Sequence, residues 1–371
     1  MCRIAIVGPV LPFRSGIAKH TTELAATLAQ RPDVDLSMLS FSRQYPAFLY
    51  PGGDDRDRAT TLPAPLDADY VLDTVNPLSW RRAWRRLLSL APDKVVIPCW
   101  TFFTAPCLGW LARQCQAAGI EVVMIVHNAQ DHEAAGWKNR LTRYQLAQAS
   151  RFLVHGSGVA KDLQHAGLTQ PVIIHPHPIF GHYPDASGAL PRRAALELLF
   201  FGLIRPYKGL DVALEGLARS GRKDAVLTIA GEFWDGQEET EALIERLGLS
   251  HQVEMIPRYV SDAEAAELFT RADAVLLPYR AVTGSGVVPV AYRYGKPVIV
   301  SDLPGLTEVV TEGKTGWTVP AADADALADL LRDVMTAEAA VSMAPTIAEA
   351  RAAMSWEELA DALVEPSKDQ G

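Results

Sequence analysis

Short apolar runs alternate with amphipathic segments along almost the whole chain, and this alternation limits its fold more than any other feature. Runs such as IAIV, VVMIV and LELLFF carry almost no polar residues, which is typical of parallel strands that helices cover on both sides. Parallel strands need crossover connections, and these are usually helices. The pattern therefore predicts an α/β fold built on doubly wound, mostly parallel sheets.

The alternation occurs twice, on either side of a segment without periodicity. Residues 175–193 hold four prolines and several small polar residues, which is typical of a linker. A chain of 371 residues also exceeds the size at which one hydrophobic core usually stops growing. We therefore predict a Rossmann-like amino-terminal acceptor domain over 1–180 and a Rossmann-like carboxyl-terminal donor domain over 194–345. A helical tail over 346–371 has an apolar stripe and is expected to pack back on the first domain.

Periodicity also predicts the individual elements. In the first domain we expect strands at 3–7, 34–40, 94–97, 121–126, 151–154 and 172–175, and helices at 17–30, 78–90, 103–118, 139–149 and 157–166. In the second we expect strands at 197–201, 226–230, 253–256, 274–277 and 298–300, and helices at 210–219, 238–247, 262–271 and 287–294. Residues 43–67 are rich in Pro, Gly and Asp and form a long loop, a type of segment that often serves binding.

The composition argues against several function classes. A formal net charge of −9 disfavours broad nucleic-acid binding, which needs a basic surface. No apolar run is long enough to span a bilayer, and the opening MCRIAIVG reads as a first strand rather than a secretion signal. We therefore expect a cytoplasmic protein. The four cysteines form no CxxC pair and no suitable spacing with histidine, which indicates neither a zinc site nor a disulfide framework.

One segment departs from the acidic balance. Residues 80–88, WRRAWRRLL, combine four arginines with Trp80 and Trp84, which share one face of a predicted helix. Such a helix can lie on the surface of an anionic membrane. Alternatively, its tryptophans and leucines enter the core while the arginines reach solvent. A peripheral contact of Trp80–Leu88 with a membrane is therefore one of two readings.

A glycine turn with two cations follows the strand LELLFF. In FGLIRPYKGLD, residues 201–211, Arg205 and Lys208 lie three residues apart, directly before a predicted helix. Both side chains and the helix amides can face one anionic ligand. The turn is thus either a clamp for a diphosphate or a solvated basic turn.

A second glycine loop favours the clamp. Thr283, Gly284, Ser285, Gly286 and Val287 also lie between an apolar strand, DAVLLPY, and a predicted helix. Because amides at helix starts bind anions, two such loops in one α/β domain indicate a phosphorylated ligand. Open sheets bind ligands beyond the carboxyl ends of their strands, so two facing domains would place a substrate between them.

Six segments, in this order, resemble the retaining glycosyltransferases of the GT-B fold, family 4 (glycosyltransferase group 1). They are IAIVGPVLPFRSGIAKHTTELAATLA, VMIVHNAQDHE, FGLIRPYKGLD, AGEFWDG, RYVSDAEAAELFTRADAVLLPYR and TGSGVVPVAYRYGKPVIVSDLPGLTEVV. The resemblance covers nearly the whole chain. It implies two Rossmann-like domains facing across a cleft, a nucleotide-diphosphate sugar as donor substrate, no cofactor and no metal.

The resemblance also implies roles for residues of the second domain. Arg205 and Lys208 would hold the donor diphosphate and act in catalysis, which agrees with the charge argument. The amides of residues 284–287 would bind sugar and phosphate oxygens. The backbone of Val260 would contact the nucleotide base, and Glu232 would line the same pocket.

Residues of the first domain are assigned in the same way. Ser15 and Gly16 precede the first helix, where a side chain at Gly16 would occupy space that the donor phosphates or the acceptor need. His127 ends the strand EVVMIV and would face the donor sugar as a catalytic residue. Asn128 and His132 are assigned to the acceptor, although His132 could instead cap a helix. These histidines are not expected to bind metal, because their spacing is not HExxH.

The chain departs from the family at two positions. Family 4 members typically have two glutamates separated by seven residues, and here Thr283 stands at the first position and Ala291 at the second. The second glutamate usually accepts hydrogen bonds from the ribose hydroxyls, which alanine cannot do. Threonine offers a hydroxyl but no charge. We therefore expect nucleotide binding to persist in a weaker or altered form.

The sequence thus predicts a hexosyltransferase in which Arg205 and Lys208 stabilise the leaving diphosphate. The acceptor is either a lipid-linked or polysaccharide intermediate or a soluble natural product, and the nucleotide and sugar stay open. A nucleotide-sugar epimerase of the same fold is a rival, but it would need further acid–base groups. The missing glutamates also permit a non-catalytic nucleotide-sugar sensor or a partner subunit.

Overall fold

Two parallel sheets form the framework of the chain, and helices connect their strands. The computed structural model describes residues 1–46, 55–56, 62–128, 136–181, 183–282 and 284–365. The chain forms two units: unit 1 consists of Met1–Pro178 with Ser355–Gly371, and unit 2 of Ile179–Met354. Each unit holds one of the sheets, which confirms the predicted α/β fold with two Rossmann-like sheets.

The sheet of unit 1 has seven parallel strands in the order β3-β2-β1-β4-β5-β6-β7. The order reverses between β1 and β4, and ligands of open α/β sheets bind beyond the carboxyl ends of the strands near such a point. The strands are β1 (Cys2–Val7), β2 (Val34–Arg43), β3 (Asp69–Asp73), β4 (Lys94–Cys99), β5 (Glu121–Val126), β6 (Arg151–Val154) and β7 (Val172–Ile174).

Capping residues set the starts of several helices in unit 1. The Ser15 hydroxyl accepts from the third residue of α1, and Asn76 caps α2, which begins with a proline. The helices of unit 1 are α1 (Gly16–Ala29), α2 (Pro77–Leu90), α3 (Ala105–Ala117), α4 (Gly136–Leu146), α5 (Ser157–His165) and, from the far end of the chain, α14 (Trp356–Val364).

The sheet of unit 2 has six parallel strands in the order β10-β9-β8-β11-β12-β13. Its order also reverses, here between β8 and β11, so the loops that follow these two strands lie side by side. The strands are β8 (Leu196–Phe201), β9 (Ala225–Ala230), β10 (Val253–Ile256), β11 (Ala274–Leu277), β12 (Val298–Ser301) and β13 (Gly316–Val319).

Helices of unit 2 follow its strands. A short 3₁₀ segment, Pro206–Lys208, precedes α6, and a capping box formed by Ser261 and Glu264 starts α8. The helices are α6 (Leu210–Ser220), α7 (Gln237–Arg246), α8 (Asp262–Arg271), α9 (Val287–Arg293), α10 (Pro304–Thr307), α11 (Ala324–Asp333), α12 (Ala337–Ser342) and α13 (Ala344–Ala352).

The sequence-based prediction misses two strands, β3 and β13. β3, with the sequence DYVLD, is mostly half-buried and has aspartate at both ends, and β13, GWTV, is short and begins with glycine. Neither has the continuous apolar run that marks the central strands. The other eleven strands lie where they were expected, with boundaries that differ by up to three residues.

Two buried cations hold the carboxyl end of α14 within unit 1. Lys94 Nζ donates to the carbonyl oxygens of Leu363, Val364 and Glu365 at 3.0, 2.8 and 2.8 Å. The Arg151 guanidinium donates to carbonyls of the same turn at 2.8 to 3.0 Å. These bonds satisfy carbonyls that a helix end leaves unpaired and place positive charge at the negative end of its dipole. α14 also packs against α1.

Candidate functional site

Glycine fixes the shape of the turn that follows β8. Gly202 and Gly209 have φ angles of +100° and +65°, a region that residues with a Cβ rarely adopt. A Cβ on Gly209 would also lie 2.0 Å from the carbonyl oxygen of Pro278. These two glycines allow the chain to pass from the strand through the 3₁₀ segment into α6, with Arg205 and Lys208 on the turn between.

Lys208 is a buried ammonium without a hydrogen-bond acceptor among the described residues. It is only 8% exposed, and its Nζ lies 5.6 Å from the centre of the Tyr279 ring. Burial and the nearby charge of Arg205 lower the pKa of Lys208 to about 8. Because burying a cation without a partner is costly, this arrangement favours an anion that comes from outside the chain.

An aromatic ring orients Arg205. Its guanidinium carbon lies 4.7 Å from the centre of the Trp234 ring, a cation–π distance. Trp234 belongs to the loop after β9, and a hydrogen bond from the Ile204 amide to the Glu232 carbonyl, at 2.9 Å, ties this loop to the Arg205 turn. Glu232, predicted to line the donor pocket, therefore lies beside this turn.

The second glycine loop lies next to the first. Tyr279, which follows β11, hydrogen-bonds Ser285, and the Ser285 hydroxyl accepts from the Val287 amide at 3.2 Å. A Cβ built on Gly202 would lie 3.3 Å from Lys208 Nζ and 3.8 Å from Val287 Cγ2. The structure thus brings together the two loops that the sequence analysis paired.

Other predicted donor residues of unit 2 have different surroundings. A Cβ on Gly284 would meet no described atom within 4 Å, and one on Gly286 would meet only Phe180, at 3.8 Å. Packing therefore leaves the backbone of this loop accessible on that side. Val260 is buried, directly before the capping box of α8.

Of the two positions at which family members typically have glutamate, Thr283 lies outside the described residues. Ala291 lies on α9 and is fully buried. A carboxylate at this position would be removed from water and would need a partner there. The packing of α9 is therefore adapted to a small side chain at the second position.

In unit 1, Ser15 and Gly16 begin α1. The Ser15 hydroxyl accepts from the Ala18 amide at 3.1 Å, so it has a capping role. No described atom lies within 4 Å of a Cβ built on Gly16. Packing among the described residues does not require glycine here, and the space beside the backbone is open to a solvent molecule or a substrate.

His127 directly follows β5, at the carboxyl edge of the unit 1 sheet. Burial lowers its pKa to about 3, so its imidazole is neutral at pH 7. The neighbouring Asn128 is exposed, and its amide nitrogen donates to the Trp100 carbonyl at 3.4 Å. His132, which the sequence analysis assigned to the acceptor, lies outside the described residues.

His127 belongs to a histidine cluster that the sequence analysis did not predict. One ring nitrogen each of His20, His127 and His155 lie within 4.8 Å of one another. The rings of His177 and Trp356 have their centres 5.2 and 4.9 Å from that of His20. Burial lowers the pKa of all four histidines, to about 3 for His127 and about 4 for His177. The cluster is therefore uncharged at pH 7.

A signal for this cluster is present in the sequence. His127, His155 and His175 each directly follow a strand, and these strands, β5, β6 and β7, are neighbours in the sheet. Because parallel strands end at the same edge, the residues after them come close together. His20 joins the group from α1, the helix that follows β1.

The tryptophan–arginine segment forms α2, and its tryptophans face the core. Trp80 and Trp84 pack against the hydrophobic core of unit 1, and Trp80 Nε1 donates to the Asp73 carbonyl at 2.8 Å. All four arginines are exposed. Of the two arrangements that the sequence left open, the tryptophans adopt the core-facing one. In the described part of the chain, no helix combines the length and apolar character needed to cross a bilayer.

Two family models match the chain. The model described as "Glycosyltransferase Family 4" matches residues 14–179, and the one described as "Glycosyl transferases group 1" matches residues 192–352. The chain is also 26% identical over 244 residues to the GDP-mannose:glycolipid 4-beta-D-mannosyltransferase of Xanthomonas campestris pv. campestris. That match covers 63% of this chain and 64% of the length of the relative.

Two further similarities extend over more of the chain. It is 27% identical over 304 residues to the glycogen synthase of Mycobacterium tuberculosis, which covers 76% of this chain and 71% of that protein. The crystal structure of Anabaena HepE in complex with UDP and glucose matches with a TM-score of 0.73 at 15% identity, over 98% of this chain and 99% of that one. At 15% identity, this match shows that the two chains share a fold and nothing more.

Proposed function

The chain belongs to the group 1 glycosyltransferases of the GT-B fold, and we propose that it transfers a hexose from a nucleotide-diphosphate sugar to an acceptor hydroxyl. In this reaction the bond between the anomeric carbon and the diphosphate oxygen breaks. The acceptor oxygen bonds to the anomeric carbon and loses its proton. Because the departing nucleotide gains negative charge, stabilising that charge is the main task of the site.

The observation that carries this proposal is the ammonium of Lys208, buried beside Arg205 without an acceptor among the described residues. A diphosphate would give Lys208 the missing partner. The planar guanidinium of Arg205 suits two phosphate oxygens at once, and the lysine acts as a point charge. Two cations at the diphosphate replace the usual divalent metal there, so we propose that transfer is metal-independent.

Other residues act on the donor and the acceptor in this proposal. The neutral imidazole of His127 contacts the donor sugar, and the open backbone at Gly16 allows a substrate to approach α1. Catalysis depends on positioning and charge rather than on a carboxylate pair. In unit 2 we assign donor binding to Arg205, Lys208, Glu232, Val260, Thr283, Gly284, Ser285, Gly286 and Val287, and in unit 1 to Gly16. The acceptor is held by Ser15, Asn128 and His132.

The stereochemical course follows from the product anomer. The family resemblance implies retention, in which the acceptor attacks from the face that the diphosphate leaves. The Xanthomonas relative is named for a β-linked product made from GDP-mannose, which makes the anomer the measurement to perform. NMR of the product gives its anomeric configuration from the one-bond carbon–proton coupling at the anomeric carbon, which distinguishes the anomers of mannose as well as those of other hexoses. A product with the donor's anomeric configuration supports retention, and the opposite anomer refutes it.

For the acceptor we propose a lipid-linked or polysaccharide intermediate. The relatives named above act on a glycolipid in one case and are named for glycogen synthesis in the other. The exposed arginines of α2, together with exposed Leu78 and Leu88, would provide a peripheral contact with an anionic membrane surface from the cytoplasmic side. Co-sedimentation with vesicles of anionic lipid tests this contact, and a protein that stays in the supernatant contradicts it.

The experiment that tests the function uses a panel of UDP- and GDP-sugars. Calorimetric titration identifies the nucleotide, and incubation of the preferred donor with lipid-extract and soluble acceptors detects transfer by release of the nucleoside diphosphate. Reactions with and without a chelator test metal independence. We expect binding and turnover with one nucleotide, and no loss of turnover with chelator.

Two other functions make different predictions in the same experiment. A nucleotide-sugar sensor or partner subunit, which the absent glutamates would permit, binds the donor without turnover. An epimerase changes the sugar in the absence of any acceptor. Either result would overturn the transferase proposal while leaving Lys208 and Arg205 as a diphosphate site.

A further inference from the structure

The histidine cluster of unit 1 lies apart from the donor loops of unit 2 in the chain and has different chemistry. His20, His127 and His155 surround one point, each contributing a ring nitrogen, and these nitrogens lie within 4.8 Å of one another. Their ring centres are 4.8 to 5.4 Å apart. The group consists of three imidazoles and, among the described residues, includes no lysine or arginine. It can therefore offer nitrogen lone pairs to a ligand.

Each of the three histidines has a buried polar atom without a partner. The Nε2 atoms of His20, His127 and His155 are buried and make no hydrogen bond to any described residue. Leaving a buried polar atom unpaired is costly, because the atom loses its hydrogen bonds to water and gains none in return. Because apolar side chains would fill a core without this cost, three such atoms at one place indicate a bound ligand rather than packing.

A backbone contact fixes the tautomer of His155. Its Nδ1 lies 3.0 Å from the carbonyl oxygen of His175, so Nδ1 carries the hydrogen and Nε2 carries the lone pair. Histidines that bind metal ions typically donate their second ring N–H to a carbonyl in this way, which orients the ring and raises its basicity.

We propose that His20, His127 and His155 form a binding site for a divalent transition-metal cation of the zinc type. Imidazole is a preferred ligand of such ions, and three protein ligands plus a water is a common zinc arrangement. The observed spacing is wider than that of a loaded site. Each nitrogen would move by roughly 0.7 Å to reach a zinc–nitrogen distance of ~2.1 Å, which small ring rotations provide.

An ion at this point would join three parts of unit 1. It would link α1 to the residues that follow β5 and β6, close to Trp356, whose ring centre lies 4.9 Å from that of His20. The inference concerns unit 1 alone and does not depend on the proposed transferase activity. His127 would keep its second ring nitrogen for a substrate, and the diphosphate of the donor would still be held by cations.

The test uses the full chain without an affinity tag. The protein is stripped with a chelator, dialysed and titrated with Zn²⁺ and, separately, with Co²⁺, whose visible spectrum reports its ligands. We expect one ion per chain, a rise in the melting temperature on Zn²⁺ addition, and a Co²⁺ spectrum without a sulfur-to-metal charge-transfer band. A wild-type protein that takes up neither ion at micromolar concentration overturns the proposal. So does a charge-transfer band, because it would place the ion on a cysteine.

Variants assign the ion to these residues. We expect His155→Ala and His20→Ala to lower Zn²⁺ affinity by about 100-fold or more. Removing a residue that only hydrogen-bonds to a metal ligand already lowers affinity by about 10- to 100-fold, and removing the ligand itself should have a larger effect. His165→Ala, an exposed histidine on α5 of the same unit, is the matched control and should bind as the wild type does. Circular dichroism checks that each variant folds. If His155→Ala does not fold, His155→Gln is used in its place. Wild-type affinity in a folded His155 variant refutes the site.

Discussion

Two lysines of this chain are buried to nearly the same extent but have opposite surroundings. Lys94 in unit 1 is 7% exposed, donates to three carbonyl oxygens and lies 3.5 Å from Glu121. Lys208 in unit 2 is 8% exposed, has no acceptor among the described residues and is repelled by Arg205. Burial alone therefore does not separate a structural cation from a binding one. The number of acceptors that the fold supplies does.

The largest effect should come from removing both cations of the β8 turn. We expect Arg205→Ala/Lys208→Met to lower kcat/KM by about 10³-fold, because in the proposed reaction both groups stabilise charge that develops on the leaving diphosphate. Arg205→Ala alone should lose about 2 kcal/mol of transition-state stabilisation, roughly 30-fold. Steady-state kinetics with the preferred donor measures both. Lys223→Ala/Arg246→Ala removes two exposed cations of the same unit and should leave kcat/KM unchanged.

The comparison predicts the reverse order for stability. Lys94→Met should lower the free energy of unfolding by about 3 kcal/mol, because it removes three charged hydrogen bonds to the end of α14 and one of the two cations beside Glu121. Lys208→Met should leave the free energy of unfolding unchanged or raise it, because it removes a buried charge that lacks a partner. Urea denaturation of the two variants tests this directly.

A surface pair calibrates the stability result. Arg3 and Asp93 form an exposed ion pair at 2.9 Å, and Arg3→Met should cost no more than about 1 kcal/mol. Equal destabilisation by Lys94→Met and Lys208→Met would show that acceptor number is not what separates the two lysines.

Lys208 should also make donor binding depend on pH. Its pKa in the folded protein is lowered to about 8, so its charge is present below that pH and is lost as the pH rises through it. We expect the affinity for the nucleoside diphosphate to fall by about tenfold between pH 7 and pH 9. Lys208→Arg keeps its charge over this range and should bind with little pH dependence. A wild-type profile that matches that of Lys208→Arg would mean that another group titrates.

The smallest expected effect concerns Gly16. A Cβ at this position meets no described atom within 4 Å, so Gly16→Ala should change the free energy of unfolding by less than about 0.5 kcal/mol. If a substrate approaches this backbone, the same variant raises its KM. Kinetics with donor and acceptor varied in turn identifies which substrate is affected. An unchanged KM for both would remove Gly16 from the substrate site.

The sequence predicts the fold well because its central strands are continuous apolar runs with glycine turns between them. It also pairs the two glycine loops of unit 2 as anion-binding loops of one domain, and the structure shows that they follow β8 and β11, which are neighbours in the sheet. It does not predict that Lys208 is buried without an acceptor, because this depends on Tyr279 and Gly202 from other segments. β3 and β13 lack the apolar pattern from which strands are recognised.

The histidine cluster was missed for a related reason. His20, His127, His155 and His177 are spread over most of unit 1, and no local spacing connects them. Only the strand order places the residues after β5, β6 and β7 side by side. A histidine at the end of each of three neighbouring strands is the signal, and it becomes visible only after the order of the strands is known.

Unit 1 is interrupted in the chain, because all of unit 2 is inserted before α14. The first 178 residues are therefore synthesised well before Trp356 and before the residues of α14 whose carbonyls accept from Lys94 and Arg151. During that interval Lys94 and Arg151 have Glu121 but lack the carbonyl acceptors that α14 supplies, and the histidine cluster lacks the Trp356 ring. Until α14 is synthesised, the surface of unit 1 that packs against this helix is exposed. We therefore expect a fragment that ends at residue 178 to be prone to aggregation. Splicing residues 355–371 onto that fragment should restore a well-folded unit.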